Sequence, residues 1–123
     1  MIKQFAGASI WSEDINNLLP FYRDVLGLKV TMESPGYALV GQASPDAPAV
    51  LLGTHSEVRG RNNDPKRHMV GFSSDDLRGD WERLKAAGVE FIEDPTDFED
   101  GMSIATLKDP EGNLVQLFQF QGS

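Results

Sequence analysis

One glutamine, Gln116, stands in the apolar strand pattern LVQLFQF, directly after the turn residues DPEGN. Side chains alternate between the two faces of a strand, so Gln116 shares a face with Phe118 and Phe120, while Val115 and Leu117 point to the other. An amide among aromatic side chains is either a hydrogen-bonded core residue or part of a pocket, because a buried amide without a partner costs about 1 to 3 kcal/mol. Gln116 is therefore the first candidate for contact with a ligand.

Residues with more versatile chemistry are scarce. Histidine occurs only at His55, in the polar segment THSEVRGRNNDPKR, and at His68. Each histidine taken alone is more often structural or solvent-exposed than catalytic. The chain has no cysteine, which excludes disulfides, thiolate nucleophiles and cysteine-rich zinc sites. It also lacks a glycine-rich phosphate loop with its lysine, an HExxH helix and a G-x-S-x-G nucleophile elbow.

The composition predicts one cytoplasmic domain that binds neither nucleic acid nor a membrane. The 123 residues carry a formal net charge of −8, which repels a phosphate backbone. The first residues, MIKQFAGASIW, lack the apolar region of a signal peptide, and the longest apolar run, AVLL, is too short to span a bilayer. The basic residues of the polar segment could meet an anionic ligand, although a solvated linker is favoured; they are Arg59, Arg61, Lys66 and Arg67.

Two segments repeat one pattern, about half the chain apart, which indicates an internal duplication. In each segment an aspartate begins an amphipathic helix and a glycine ends it. The first helix is predicted from Asp14 to Gly27, and the second from Asp75 or Asp76 to Gly88.

Strand patterns flank each predicted helix, one before it and three after it. The first half contains FAGASIW, LKVTME, YALVG and AVLLG, and the second contains HMVGF, VEFIED, SIATLK and LVQLFQF. The sequence therefore predicts an α+β fold of two βαβββ modules, with module one at about 1–54, a polar linker at 55–67 and module two at about 68–123. One helix covers only one face of a four-stranded sheet, so the two uncovered faces are expected to form a cleft for a ligand.

The chain resembles the vicinal oxygen chelate superfamily, which contains glyoxalases, bleomycin-resistance proteins and extradiol dioxygenases. The resemblance covers nearly the whole chain and rests on FYRDVLGL at 21–28, WERLKAAGVEF at 81–91 and KDPEGNLVQLF at 108–118. It implies that the two modules form a cupped, incomplete barrel and that a chain of this length is a homodimer. It does not choose among isomerases, epimerases, dioxygenases, thiol transferases and proteins that only bind drugs.

Enzymes of that superfamily commonly hold a divalent metal through a His or Gln on the first strand of each module and a Glu on the last strand. Here the resemblance places Gly7, Met69 and Gln116 at those positions, and divalent ions prefer carboxylates or imidazoles. It therefore implies a chain without a metal or another cofactor. His68 is out of phase with Met69 by one residue, which puts it on the opposite face. A register shifted by one residue would bring His68 into the cleft and allow a weak metal site with Gln116 and some other carboxylate.

The leading hypothesis is a metal-free protein that binds a small, largely apolar or aromatic molecule in the cleft. In it Trp11 and Phe118 stack or pack, Met69 adapts its shape, and Ser9 with Gln116 supplies polar contacts.

Phe98, in the segment PTDFEDGMS, either closes over the ligand or belongs to an ordinary hairpin connection, which is favoured. A competing hypothesis is a divalent-metal lyase, isomerase or dioxygenase of the same superfamily. A third is metal-free acid–base catalysis by a cleft carboxylate such as Glu33 or Glu90, for which the sequence offers no paired acid and base. The sequence leaves open whether the cleft lies within one chain or across a dimer.

Overall fold

The computed structural model describes residues 1–99 and 101–120. They form two compact units, residues 1–60 and the residues from 61 onward. The boundary falls inside the predicted linker 55–67. Residues 121–123, at the end of the second predicted module, lie outside the described residues.

Unit one contains a four-stranded sheet with the order β1-β4-β3-β2. The first strand runs parallel to the last, and the other neighbours are antiparallel. The strands are β1 (Gly7–Ser12), β2 (Val30–Ser34), β3 (Tyr37–Val40) and β4 (Ala49–Thr54), and a 3₁₀ helix (Ile15–Asn17) and a π-helical turn (Phe21–Val25) lie between β1 and β2.

Unit two repeats the arrangement, with the sheet order β5-β8-β7-β6 and a parallel pair formed by β5 and β8. Its elements are β5 (Val70–Ser73), α1 (Leu77–Ala86), β6 (Phe91–Asp97), β7 (Met102–Lys108) and β8 (Leu114–Phe120). Both sheets are open, with an edge strand at either side, and the predicted fold class of two βαβββ modules is confirmed.

The helix predicted between Asp14 and Gly27 is not a continuous α-helix. Asp14 caps the first turn as predicted, but Pro20 has no N–H and interrupts the hydrogen-bond ladder. Beyond it the N–H of Leu26 donates to the carbonyl of Phe21 at 2.9 Å, which is the i to i−5 pattern of a π-turn. Gly27, with φ +77°, ends the segment as predicted.

The boundaries in unit two are closer to the prediction. Asp76, rather than Asp75, caps α1, because its side chain accepts a hydrogen bond from the N–H of Gly79. Gly88, with φ +92°, follows the helix. The strand predicted from HMVGF begins only at Val70. Among the described residues, no helix is long and apolar enough to cross a membrane.

Each unit buries its core between its helical segment and one face of its sheet. In unit one, Leu18 and Tyr22 are fully buried, as are sheet residues of one face such as Leu52. In unit two, Leu77 and Leu84 of α1 are buried together with Leu107 of the sheet. Within the described residues, no helical segment of the same unit covers the opposite face of either sheet, which we call the open face.

Gln116 and Gln119 of β8 lie on opposite faces of the sheet and differ in their hydrogen bonds. Their alanine variants therefore test the assignment of the two faces. Gln119 lies on the helix-covered face, where its Oε1 accepts from the N–H of Leu77 at 2.8 Å and its Nε2 donates to the carbonyl of Asp75 at 2.9 Å. Gln119→Ala is expected to lower the free energy of unfolding in urea by about 1 to 2 kcal/mol, because it removes both bonds at the start of α1. Gln116→Ala, on the open face, should change it by less than about 0.5 kcal/mol. Equal losses for the two variants would contradict the assignment of faces.

Candidate functional site

The open face of unit one carries an aromatic row across three strands. Trp11 of β1 pairs with Gly53 of β4, and Gly53 pairs with Tyr37 of β3. Trp11 is 44% exposed and Tyr37 is 38% exposed. Because Gly53 has no side chain, no side chain at this position separates the rings of Trp11 and Tyr37.

The next row of the same face is also apolar. Ser9 of β1 pairs with Leu51, Leu51 pairs with Leu39, and Leu39 pairs with Met32 at the edge. Met32 is 49% exposed, and its sulfur accepts a hydrogen bond from the hydroxyl of Tyr37 at 3.3 Å. Ser9 is exposed, and its hydroxyl makes no hydrogen bond to another described residue. The face is therefore an apolar surface with one uncommitted hydroxyl.

The ring of Trp11 lies over the backbone of Gly53. A Cβ added to Gly53 would approach ring carbon Cε3 of Trp11 to 2.7 Å, closer than real side chains allow. The indole can occupy this position only because residue 53 has no side chain. Since Trp11 remains 44% exposed, its indole is accessible to a ligand, and we call it the Trp11 platform because a planar molecule can stack on an exposed indole.

His55 lies beside this platform, which sequence reasoning did not predict. It follows β4 directly, and its N–H donates to the carbonyl of Ser12 at 2.8 Å. Its ring centroid is 5.5 Å from that of Trp11, with an interplanar angle of 78°, so the two rings meet edge to face. The contact arises because β1 and β4 pair in parallel and so bring together residues that are distant in sequence.

On the open face of unit two, Gln116 of β8 lies between Gly71 of β5 and Thr106 of β7. Gln116 is half-buried, and within the part of the chain that the structure describes its side chain makes no hydrogen bond. The sequence allowed two roles for Gln116, a hydrogen-bonded core residue or part of a pocket. The first role would require a hydrogen bond of the amide to another described residue, and the structure contains none. Its amide is free to contact a ligand.

Phe118 repeats the arrangement of ring and glycine seen in unit one. A Cβ added to Gly71 would lie 2.5 Å from ring carbon Cε2 of Phe118, so this ring lies over the neighbouring parallel strand. Met69 precedes β5 by one residue and stands two positions before Gly71, with its side chain partly exposed. Gln116 and Phe118 of β8 thus lie beside Gly71 of β5, and Met69 lies directly before β5.

Phe98 is not part of this group. The β6–β7 connection is a hairpin, as favoured from the sequence, because the N–H of Phe98 donates to the carbonyl of Met102 at 2.8 Å. Phe98 lines a separate cavity of about 380 Å³ beside Arg78 of α1 and Gln119, two residues of the helix-covered side.

Asp97 lies in the wall of that cavity. The hydroxyl of Ser103 donates to its carboxylate at 2.5 Å, and Arg78 binds it through both terminal nitrogens at 3.2 and 3.3 Å. These contacts, that of Ser103 first, hold the pKa of the Asp97 carboxyl below its usual range. Arg78, Asp97 and Ser103 thus bind one another, and Gln119 binds the backbone at the start of α1.

The residues at the metal-ligand positions of the resemblance do not fit a divalent ion. Gly7 offers no side chain, Met69 a thioether and Gln116 a neutral amide, which are poor substitutes for imidazole and carboxylate. A side chain at position 7 would also collide with the carbonyl of Ala49. Among residues 1–99 and 101–120, no three His, Asp or Glu side chains are grouped as they would be around a metal ion.

Three further candidates for chemistry are His68, Glu90 and Glu33. His68 is exposed and precedes β5. Glu90 forms an ion pair with the Nζ of Lys108 at 3.2 Å, and Glu33 of β2 is exposed and pairs through its backbone with Ala38 of the helix-covered face.

Comparison with known proteins gives one family. Residues 2–117 match the family model described as glyoxalase/bleomycin resistance protein/dioxygenase superfamily. The uncharacterized protein YetH of Bacillus subtilis (strain 168) is 24% identical over 119 residues, which cover 95% of this chain and 98% of YetH.

Solved structures show the same fold. A glyoxalase/bleomycin resistance protein/dioxygenase from Nocardioides has a TM-score of 0.72 at 18% identity and covers 100% of this chain and 87% of its own. A lactoylglutathione lyase from Agrobacterium tumefaciens has a TM-score of 0.70 at 18% identity, over 96% of this chain and 94% of its own.

Proposed function

Because this chain belongs to the glyoxalase/bleomycin resistance protein/dioxygenase superfamily, we propose that it binds a small, largely apolar or aromatic molecule and does so without a metal ion. The observation that carries the proposal is the Trp11 platform, an indole that lies over Gly53 and stays 44% exposed. An exposed indole on an apolar sheet face gains free energy when a planar molecule covers it, both from apolar burial and from ring stacking.

The polar side chains of the two open faces support the same proposal. Ser9 and Gln116 have no hydrogen-bond partner among the described residues, so each can orient a ligand without breaking a bond in the protein. A binding site of this kind is mostly apolar with a few polar groups that set orientation. Capture of a molecule in this way needs affinity and no covalent step. The cleft between modules, the homodimer and the cytoplasmic location stay predictions of the sequence.

The test is a titration of untagged, ¹⁵N-labelled protein with naphthalene, followed through the indole N–H signal of Trp11. Trp81→Phe assigns that signal, because the chain has only two tryptophans. We expect a saturable shift of the Trp11 signal with the same dissociation constant in the presence of EDTA and of added zinc. A titration in which Trp11 does not respond would contradict ligand binding at this face. Binding that EDTA abolishes would contradict the metal-free mode.

A divalent-metal lyase, isomerase or dioxygenase is the second candidate. The observation in its favour is the fold shared with the lactoylglutathione lyase from Agrobacterium tumefaciens. The absent side chain of Gly7, the thioether of Met69 and the neutral amide of Gln116 are evidence against it. Mass spectrometry of untagged protein after incubation with zinc, nickel, manganese and ferrous iron separates the two. We expect no ion to be retained at near-stoichiometric level, and Gln116→Glu to remain metal-free. Retention by the wild type, strengthened in Gln116→Glu, would favour the enzyme.

A further inference from the structure

We infer that the molecule bound at the Trp11 platform is a planar aromatic compound with a hydrogen-bond acceptor at its ring edge, and that the Nε2–H of His55 donates to that acceptor. The inference rests on the proposed function and names the class of ligand within it. It comes from three features of His55: its position, its tautomer and its unused donor.

The position of His55 follows from strand alternation. Gly53 lies on the open face beneath Trp11, and His55, two residues further along, emerges on the same side. Its backbone N–H is fixed to Ser12 at 2.8 Å, so the imidazole stands at the end of the platform. Ser9 stands at the other end, about 13 Å away at about 3.3 Å per residue of strand.

The tautomer follows from a second hydrogen bond. The N–H of Glu57 donates to Nδ1 of His55 at 3.0 Å. An imidazole nitrogen that accepts a hydrogen bond carries no proton, so the proton of the neutral ring is on Nε2. The same bond and the edge contact with Trp11 hold the ring in one orientation.

The donor that remains is unused. The Nε2–H of His55 has no hydrogen-bond partner among the described residues, and the side chain is half-buried. A ligand that covers the Trp11 ring displaces water from the neighbouring imidazole, and a covered N–H without an acceptor opposes binding. An acceptor at the ring edge of the ligand removes that opposition, so the platform selects aromatic molecules that have one.

Naphthalene and quinoline test this selection, because the two molecules have nearly the same shape and differ in one ring-edge acceptor. Two variants separate the contact of His55 with Trp11 from the hydrogen bond that it accepts from Glu57. His55→Phe keeps a ring edge against Trp11, whereas His55→Asn keeps an acceptor for the N–H of Glu57, in the manner of an Asx turn. Neither variant retains Nε2–H, and thermal unfolding of both checks that they fold.

We expect the ratio of the dissociation constants of naphthalene and quinoline to fall by about tenfold in both variants, the effect of one hydrogen bond. In the wild type, the ¹⁵N signal of Nε2 should shift with quinoline and much less with naphthalene. If both probes bind and the ratio is unchanged in both variants, the inference is overturned while the proposed function stands. If neither probe shifts the Trp11 signal, the proposed function fails and the inference fails with it.

Discussion

Replacing Trp11 by alanine is expected to weaken the binding of naphthalene and quinoline by about 30-fold or more, because truncation of a central aromatic anchor typically costs about 2 kcal/mol or more. The variant no longer has the indole signal, so binding is measured through the NMR signals of the ligand. Trp81→Phe is the matched control, since Trp81 belongs to α1 and its Nε1 donates to Asp94 at 3.1 Å. Affinity that survives in Trp11→Ala would show that the platform is not the site.

A second variant tests the same prediction while it leaves the indole in place. Gly53→Ala adds a methyl group where the ring of Trp11 now lies, and the ring must move away from the sheet. Overpacking of this kind lowers the free energy of unfolding by about 1 to 3 kcal/mol. Because the displaced ring no longer offers the same stacking surface, we also expect the affinity for both probes to fall by about tenfold, which is about 1.4 kcal/mol. Gly36→Ala is the control, because no atom lies within 4 Å of a Cβ added there. A Gly53→Ala variant that binds as tightly as the wild type would show that the position of the ring over Gly53 is not required for binding.

Much of the frame that supports this site could be predicted from local sequence. Asp14 and Asp76 cap helical segments, and Gly27 and Gly88 end them in the left-handed region, because these residue types act on backbone groups only a few positions away. Alternation in LVQLFQF likewise placed Gln116 on the face opposite to Val115 and Leu117, which are buried. These features depend on neighbours in sequence, which a single chain displays directly.

The features that were missed depend on partners distant in sequence or on one interrupting residue. The contact of Trp11 with His55, and its position over Gly53, require the register in which β1 runs beside β4. Local patterns do not fix that register. The broken helix of unit one was missed for another reason, since Pro20 sits within an amphipathic pattern that otherwise continues. Its absent N–H overrides the periodicity.

Phe98 illustrates a third limit. The sequence left two roles open for Phe98, closure over a ligand or membership of an ordinary hairpin connection, of which the hairpin was favoured. The structure shows the hairpin, and Phe98 lines a cavity with Arg78 and Gln119. Outside a strand, Phe98 lacks the two-residue alternation that tells which face a side chain points to. Candidate residues on strands were therefore easier to place than a candidate on a turn.

The largest effect on stability is expected at Asp109, which precedes the turn before β8 and is only 4% exposed. Its Oδ1 accepts from the N–H groups of Glu111 at 2.8 Å and Asn113 at 2.9 Å, and its Oδ2 accepts from Nδ2 of Asn113 at 2.8 Å. Asp109→Ala removes these three bonds, two of which are to backbone N–H groups of the turn. We expect it to lower the free energy of unfolding in urea by about 2 to 4 kcal/mol.

The effect should exceed that of an ordinary turn because the linker also binds there. The N–H of Asn62 donates to the carbonyl of Glu111 at 2.9 Å, and its Nδ2 donates to Oδ1 of Asn113 at 2.9 Å. Loss of the Asp109 carboxylate therefore loosens the turn and the start of unit two together. The strand that follows carries Gln116 and Phe118 of the open face, so the turn sets the position of both.

Two further variants decide whether the carboxylate acts through these bonds. Asp109→Asn keeps one oxygen that can accept from both backbone N–H groups but cannot accept the bond from Nδ2 of Asn113. We expect it to lower the free energy of unfolding by about 1 kcal/mol, the value of that one lost bond. Asp64→Ala removes an exposed carboxylate that pairs with Arg67 at 2.7 Å, and an exposed ion pair contributes about 0 to 1 kcal/mol. Equal losses for Asp109→Ala and Asp64→Ala would mean that the turn does not depend on the buried carboxylate. The ranking Asp109→Ala, then Asp109→Asn, then Asp64→Ala would mean that hydrogen bonding to the backbone determines the geometry from which β8 begins.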